Sequence, residues 1–513
     1  MKFNHDSIIP RKVLFVGIDG ATYWLVEKMI AVGKLPNISR LIQTGSTFRV
    51  ETQEPVISPC VWTSIATGKK PDKHGVKSFF ASSSSVATKR IWEIFQDHDL
   101  SVGIMGYFVT WPPQEVNGFM IPDLLALDNQ TYPKEYGFLH DITDNYKKGK
   151  NTSYLKLIKY AWSSIKYGIQ VHNLLATALI LMKKKIVKPD LLNYLYEIRV
   201  LKQKLYSDLF IALYKKYNPT FAYFHNHLLD YCSHSFWRYM EPEKFDDVSE
   251  QEITQYGTKL FDAYSEADKT LGKILKIADK NTLLVVASDH GLKAAANPNV
   301  QWRQPNINSE LLMNYLGIEN EVSFSNVGYD IVVKPRVERP GAKKKLKRTF
   351  ESITMVEEQL PLFQILEYDT SNLWLRLNNS IQKIDGCNIK WQDDIRPLDD
   401  FIQTTEIRSS GVHDGKNAIL IFNGFGVKQG KKFLNSPAEV FDIIPTILAL
   451  MNMPIGKDMD GRALTEAIAE DFLIKYPVSY IESYDDSNLT SEATPDMVAN
   501  EKLKNQLRAL GYL

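Results

Sequence analysis

Lys12-Val13-Leu14-Phe15-Val16-Gly17-Ile18-Asp19-Gly20 is an unbroken apolar run that ends on an acid and a glycine. A run apolar along its whole length, and not only at alternate positions, is what a strand covered on both faces requires. Two other stretches follow the same plan: Phe221 to Phe224 leads to Asp230 and His234, and Leu283 to Ala287 leads into Ser288-Asp289-His290-Gly291. Val102 to Tyr107 and Ala418 to Phe422 have the same strand character. Helical spacing marks Tyr23 to Val32, Asn37 to Thr44 (opened by Pro36 and closed by Gly45), Thr254 to Ala278 and Ala438 to Met451. This alternation predicts an α/β protein with a mostly parallel central sheet and helices on both faces. Ligands of such sheets collect at the carboxyl ends of the strands. Asp19, Asp289 and His290 stand at those ends, and Asp230 follows a short loop later.

The chain has 513 residues, 44% hydrophobic and 24% charged, which suits a large core carrying insertions. A net charge of +1 excludes no partner by itself, because local runs decide. Cys60, Cys232 and Cys387 form no CxxC, so neither a disulfide framework nor a thiolate zinc site is expected, and a reducing compartment is. Met1 to Arg11 lacks the pattern of a secretory signal, and Leu174 to Met182 falls short of the ~20 residues a membrane helix needs. The expected location is cytoplasmic, with peripheral membrane contact left open. The pattern divides into a catalytic core over 1–124, 205–318 and 396–513, a helical basic insertion over 125–204 and a second cap insertion over 319–395.

With His413 added, the chain supplies three carboxylates and three imidazoles at these loops, enough for two zinc-like ions with three ligands each. Each motif alone has a plainer reading. Asp230 and His234, four apart, share a helical face and suit one cation, or form a surface hydrogen-bonding pair. Asp289-His290 before Gly291 puts two ligands at a sharp turn, or is an ordinary βα turn. His413, in Gly411-Val412-His413-Asp414-Gly415, fits a loop close to a ligand and equally a surface turn. In Ser58-Pro59-Cys60-Val61-Trp62-Thr63-Ser64-Ile65-Ala66-Thr67-Gly68, Ser58 reads as the N-cap of a short helix that Gly68 ends. A hydroxyl there faces a natural anion site and becomes a nucleophile beside a divalent ion. The segment alone favours a mere cap, and the surrounding constellation favours the nucleophile.

Taken together the motifs carry a family likeness. The chain resembles the type I phosphodiesterase and nucleotide pyrophosphatase branch of the alkaline phosphatase superfamily. The likeness rests on Gly17 to Gly20, Leu35 to Ile38, Ser58-Pro59 through Thr67-Gly68, Pro71 with His74-Gly75, and Asp230 with His234 and Phe236-Trp237. It continues through Ser288 to Gly291, Gly411 with His413, Trp111-Pro112-Pro113, Val116-Asn117-Gly118, Asp442 to Leu448, Asp460-Gly461-Arg462 and Leu507 to Leu513. The resemblance implies an alkaline-phosphatase-like core and two divalent metal ions, zinc first and manganese as the alternative. One ion would be held by Asp230, His234 and His413, the other by Asp19, Asp289, His290 and the oxygen of Ser58. It also implies a phosphoseryl intermediate on Ser58. Nucleotide pyrophosphatases usually carry threonine at that position and an asparagine further on. This chain lacks that asparagine, so nucleotide specificity does not carry over and the Cys60 and Val61 amides are the expected phosphate contacts. The order Ser58-Pro59-Cys60 breaks the sulfatase pattern.

From Lys147 to Lys188 there are ten lysines and no acid, with Tyr154, Leu155, Leu157, Ile158, Trp162, Ile165 and Ile169 at roughly helical spacing. That stretch is either a cap helix packed on the core or a peripheral contact with an anionic membrane, to which Lys343 to Arg348 would add. No nucleic-acid-binding module is present. The leading expectation is a two-metal hydrolase of phosphodiester or pyrophosphate bonds in a small-molecule, lipid-linked or glycan-linked substrate. The alternatives are a phosphoryl or headgroup transferase, and a non-catalytic binding protein on the same scaffold. The sequence leaves the oligomeric state open.

Overall fold

A computed structural model describes residues 12–138, 162–186, 190–295, 303–327, 330–337, 339–366, 372–378, 380–381, 384, 386–407 and 409–485. These divide into two compact units. The first lies within Met1–Cys232, Thr258–Leu292 and His413–Pro495, the second within Ser233–Gly257 and Lys293–Val412.

The first unit is built on an eight-stranded sheet. Its strands are β1 (Lys12–Ile18), β2 (Ser46–Glu51), β3 (Val102–Met105), β4 (Gly118–Ile121), β5 (Phe221–Asn226) and β6 (Thr282–Ala287), with Ala418–Asn423 and Lys431–Glu439. The order is Lys431–Glu439, β2, Ala418–Asn423, β6, β1, β5, β3, β4. Only Ala418–Asn423 runs antiparallel to its neighbours, so the sheet is mostly parallel, as expected. β1 lies between β5 and β6 and is buried from Val13 to Ile18, which explains its unbroken apolar run. Helices α1 (Tyr23–Ala31), α2 (Pro36–Thr44) and α3 (Ser58–Thr67) belong to this unit. Leu35 to Ile38 is scaffold: the buried Asp268 carboxylate accepts from Ile38 N at 2.8 Å and from Asn37 Nδ2 at 2.8 Å, fixing the start of α2.

Four expectations need correction. Val102 to Tyr107 ends as a strand at Met105, because Gly106 turns with φ 81°. Thr254 to Ala278 is two helices, Glu250–Tyr256 and Lys259–Leu275, interrupted around Gly257. Ala438 to Met451 begins as the end of a strand, passes through a 3-10 turn at Val440–Asp442, and is α-helical only over Ile443–Leu450. There the Asp442 carboxylate accepts from Glu439 N at 2.9 Å and sets the turn. Ser58 is the first residue inside α3, with Ile57 at the cap and no side-chain capping bond, so its hydroxyl is not spent on the helix end.

The helix Leu191–Tyr217 packs on β3, β4 and β5 and runs without a break across residues 204 and 205. Along Val171–Ile186, Val171, Leu175 and Leu179 recur every four residues and are more than half exposed. Of the lysine-rich stretch, 147–161 and 187–188 lie outside the described residues, as does 507–513. Among the described residues no helix is long and apolar enough to cross a membrane.

The second unit contains residues 319–395 among others. An antiparallel sheet of Phe363–Leu366, Leu373–Leu377, Asp330–Pro335 and Val322–Val327 shares its core with the helix Ala342–Glu351 through Leu346, Phe350 and Leu375. Lys343 to Arg348 lie on that helix, whose buried side is Leu346 and Phe350, and Lys345 pairs with Glu321 at 3.1 Å.

Candidate metal centre

The register of the central strands assembles the site. Gly17 is paired with His225 on one side and with Ala287 on the other, and Ile18 with Asn226. The residues just past these strands, Asp19, His227 and Asp289, therefore emerge at one edge. Gly20 completes the turn with φ 72°, and a Cβ there would lie 2.9 Å from Asp230 Cα, so glycine admits the acid-bearing helix at close range. Ser288 locks the turn by accepting from Ala21 N at 2.9 Å and donating to His290 O at 2.7 Å.

His290 is the hub. Its Nδ1–H donates to Gly291 O at 3.0 Å, which leaves the Nε2 lone pair facing inward. Nε2 lies 3.2 Å from Ser58 Oγ, 3.3 Å from Asp289 Oδ2, 3.7 Å from Asp19 Oδ1 and 4.0 Å from Asp230 Oδ1. His413 repeats the arrangement: Nδ1–H donates to Val56 O at 2.7 Å, and Nε2 lies 3.4 Å from Asp230 Oδ1. The two imidazoles stack with centroids 3.7 Å apart. Asp230 and His234 lie one turn apart on the helix Leu228–Met240, and the boundary between the two units falls between them. Within the second unit, His234 Nδ1 lies 2.7 Å from Gly411 O. All three predicted ligand histidines thus commit Nδ1 to a backbone carbonyl, the usual way a protein presents Nε2 to a metal.

His225 is different, and the sequence reading missed it together with His227. Tyr223 donates its hydroxyl proton to His225 Nδ1 at 2.5 Å, and His225 Nε2 donates to Asp19 Oδ2 at 3.2 Å. Both ring nitrogens are occupied by this relay, so His225 positions Asp19. His227 Nδ1 lies 3.6 Å from the same Asp19 oxygen. The available signal was His225-Asn226-His227 directly after the apolar run Phe221 to Phe224.

Electrostatics favour a cation here. Burial, reinforced by the charges of Asp289 and Asp230, holds the Asp19 carboxyl well above its usual range. Burial pushes Asp289 up to about 7. Burial alone would depress His413, yet its bond to Asp230 raises it. Burial lowers His225 to about 3, which keeps it neutral for the relay. Asp19 Oδ1 and Asp289 Oδ2 are buried without a hydrogen-bond donor. Buried acceptors facing one another are costly unless a cation or protons intervene. Among the described residues, ligand atoms come within 4.8 Å of one another in three groups: Asp19, Asp289 and His290; Asp230, His290 and His413; and Asp19, His225 and His227. The first two fit divalent ions by donor type and tautomer, whereas the relay accounts for His225 in the third.

Two further hydroxyls of α3, those of Thr63 and Ser64, are engaged elsewhere. Thr63 donates to Pro59 O at 2.7 Å, and Ser64 is held by Gln53 at 2.6 Å and His74 at 2.8 Å. Burial raises the Cys60 thiol to about 12, which makes it a poor nucleophile. Of the two amides expected to contact phosphate, Val61 N donates to Ile57 O at 3.0 Å and is committed to the helix. Cys60 N, at the third helical position, is the one that helix geometry leaves without an intrahelical acceptor.

The family profile described as type I phosphodiesterase / nucleotide pyrophosphatase matches residues 13–345. The chain belongs to this family. Membership makes it a phosphodiesterase/pyrophosphatase-type enzyme acting on phosphate esters, and its mostly parallel sheet flanked by helices is the alkaline-phosphatase-like fold. No curated protein matches the chain. The match to the phosphodiesterase family begins at β1 and takes in Ser58, Asp230, His234, Asp289 and His290, while His413 lies beyond it.

Proposed function

We propose that the protein is a two-metal hydrolase of phosphodiester or pyrophosphate bonds that works through a phosphoseryl intermediate on Ser58. The observation that carries this reading is Ser58 Oγ at 3.2 Å from His290 Nε2, beside carboxylates whose buried oxygens lack donors. Zinc, or manganese, held by Asp19, Asp289 and His290 and by Asp230, His234 and His413, would supply Lewis acidity and lower the pKa of the serine hydroxyl.

The chain's own groups do the rest. Burial of α3 from Ser58 to Thr67 fixes the nucleophile, and the Cys60 amide at the helix start offers a donor to a phosphoryl oxygen. Ser58 Oγ forms a bond to phosphorus as one ester P–O bond breaks, and the departing oxygen takes the proton that the serine loses. Water then cleaves the Ser58–phosphorus bond, returning the hydroxyl and releasing the phosphorylated product. The Tyr223–His225 relay keeps Asp19 in place throughout.

Quenching turnover of bis-p-nitrophenyl phosphate and mapping peptides by mass spectrometry tests the intermediate. A p-nitrophenylphosphoryl group on Ser58 is expected, and its appearance on another residue would overturn the assignment. Peripheral contact with an anionic membrane also belongs to this reading, supported by the exposed Val171, Leu175 and Leu179 in a lysine-rich stretch. Failure to cosediment with anionic vesicles would remove it.

A further inference from the structure

The second unit has an open basic groove of about 390 Å³, within the range of small-molecule sites. Lys344, Lys345 and Arg348, on one face of the helix Ala342–Glu351, line one wall. Trp391 and Gln392, at the turn between the paired strands Asn388–Trp391 and Asp394–Pro397, line the other. That second wall is fixed, because Trp391 packs on the core of the unit with its ring centre 5.8 Å from that of Tyr315.

Charge in the groove is placed against local preference. Lys344 stands in the first turn of a helix whose start carries partial positive charge, with Gly341 at the cap, no side-chain capping bond and no acid in that turn. Arg348 follows four residues later on the same face, where like charges repel. Lys345 is answered by Glu321 at 3.1 Å. Among the described residues neither Lys344 nor Arg348 has an acidic partner, and no carboxylate lines the groove. Two cations beside a helix start leave a positive surplus that a dianion would balance.

We propose that this groove binds a phosphomonoester group. The Arg348 guanidinium matches two phosphate oxygens with parallel hydrogen bonds, and the Lys344 ammonium adds charge without geometric demand. Trp391 offers an apolar face to the organic part of the ligand. The phosphate belongs either to a lipid headgroup or to a soluble molecule, and the test separates the two. The site lies wholly within the second unit and does not depend on the hydrolase reading.

The test is calorimetric titration of full-length protein, both metal-loaded and as Asp289→Ala, with glycerol 3-phosphate and with glycerate as the singly charged control. It is run at about pH 8, where a phosphomonoester, with a second pKa of about 6, is a dianion. For a soluble ligand, glycerol 3-phosphate is expected to bind both proteins at least about tenfold more tightly than glycerate. Adding Lys344→Gln/Arg348→Gln to either protein should abolish that preference, with circular dichroism unchanged. For a lipid headgroup, the preference appears in cosedimentation instead. Phosphatidylcholine vesicles carrying phosphatidic acid then bind more protein than vesicles carrying phosphatidylserine at matched charge, and the excess is lost in the double variant. No preference in either format, a preference that survives in the folded double variant, or one that disappears with Asp289→Ala alone overturns the site.

Discussion

The hydroxyl of Tyr223 fills the space that a side chain on Gly17 would need: a Cβ there would fall 2.1 Å from that oxygen and 2.7 Å from the Trp62 ring. Both rings are wholly buried, and Trp62 also packs against His225 with centroids 4.8 Å apart. Gly17 thus lets the helix that carries Ser58 and Trp62 share one packed layer with the Asp19 relay. Gly17→Ala should lower stability by about 1–3 kcal/mol through overpacking. Adding Tyr223→Phe should recover part of the loss by removing the nearest atom. Denaturant midpoints of the parent, single and double variants measure both effects.

Tyr223→Phe alone removes the proton donor to His225 Nδ1 and leaves that nitrogen buried and unpaired. A cost of about 1–2 kcal/mol is expected, with metal affinity falling roughly 10–100-fold because Asp19 loses its orientation. Competition with a chelator reads the affinity. Unchanged affinity would show that the relay does not act through Asp19.

Ser58→Ala should lower turnover by at least about a thousandfold. The loop and strand ligands should persist, since Ser58 is not needed to cap α3. Activity assays paired with metal analysis separate the outcomes, and retained activity would move the nucleophile elsewhere.

The acid cluster sets a pH dependence of stability in protein stripped of metal. Burial raises Asp289 from 3.8 to about 7 in the fold. Between those values the unfolded chain has released this proton while the folded chain keeps it, so stability falls as pH rises through the window. Added zinc should replace the proton and flatten the dependence. Thermal unfolding of chelator-treated protein at pH 5 and 8, with and without zinc, checks the sign; higher stability at pH 8 without metal would contradict it.

The central strands were legible because β1, β5 and β6 are covered on both faces and read as apolar runs. Lys431–Glu439 was not legible, since an edge strand with mostly exposed side chains has no apolar pattern. The break near Gly257 was concealed by helical spacing on both sides: the capping box of Ser249 and Glu252 marks only where the first helix begins, and the second starts at Thr258 without a side-chain cap. Asp19, Asp289 and His290 were readable because a strand end fixes their position in space. His225 was not, because its role depends on Tyr223 two residues earlier and on Asp19 across the sheet. The placement of Ser58 one residue inside α3 was also hidden, as serine suits either position.

The most direct test of the two-metal hydrolase is turnover of bis-p-nitrophenyl phosphate by zinc- or manganese-loaded protein, run beside Asp289→Ala with metal content measured for both. The account predicts diester hydrolysis by the loaded parent and loss of at least about a thousandfold in the variant, together with bound metal. Equal rates in both proteins, or no hydrolysis by a parent shown to bind two ions, would contradict it.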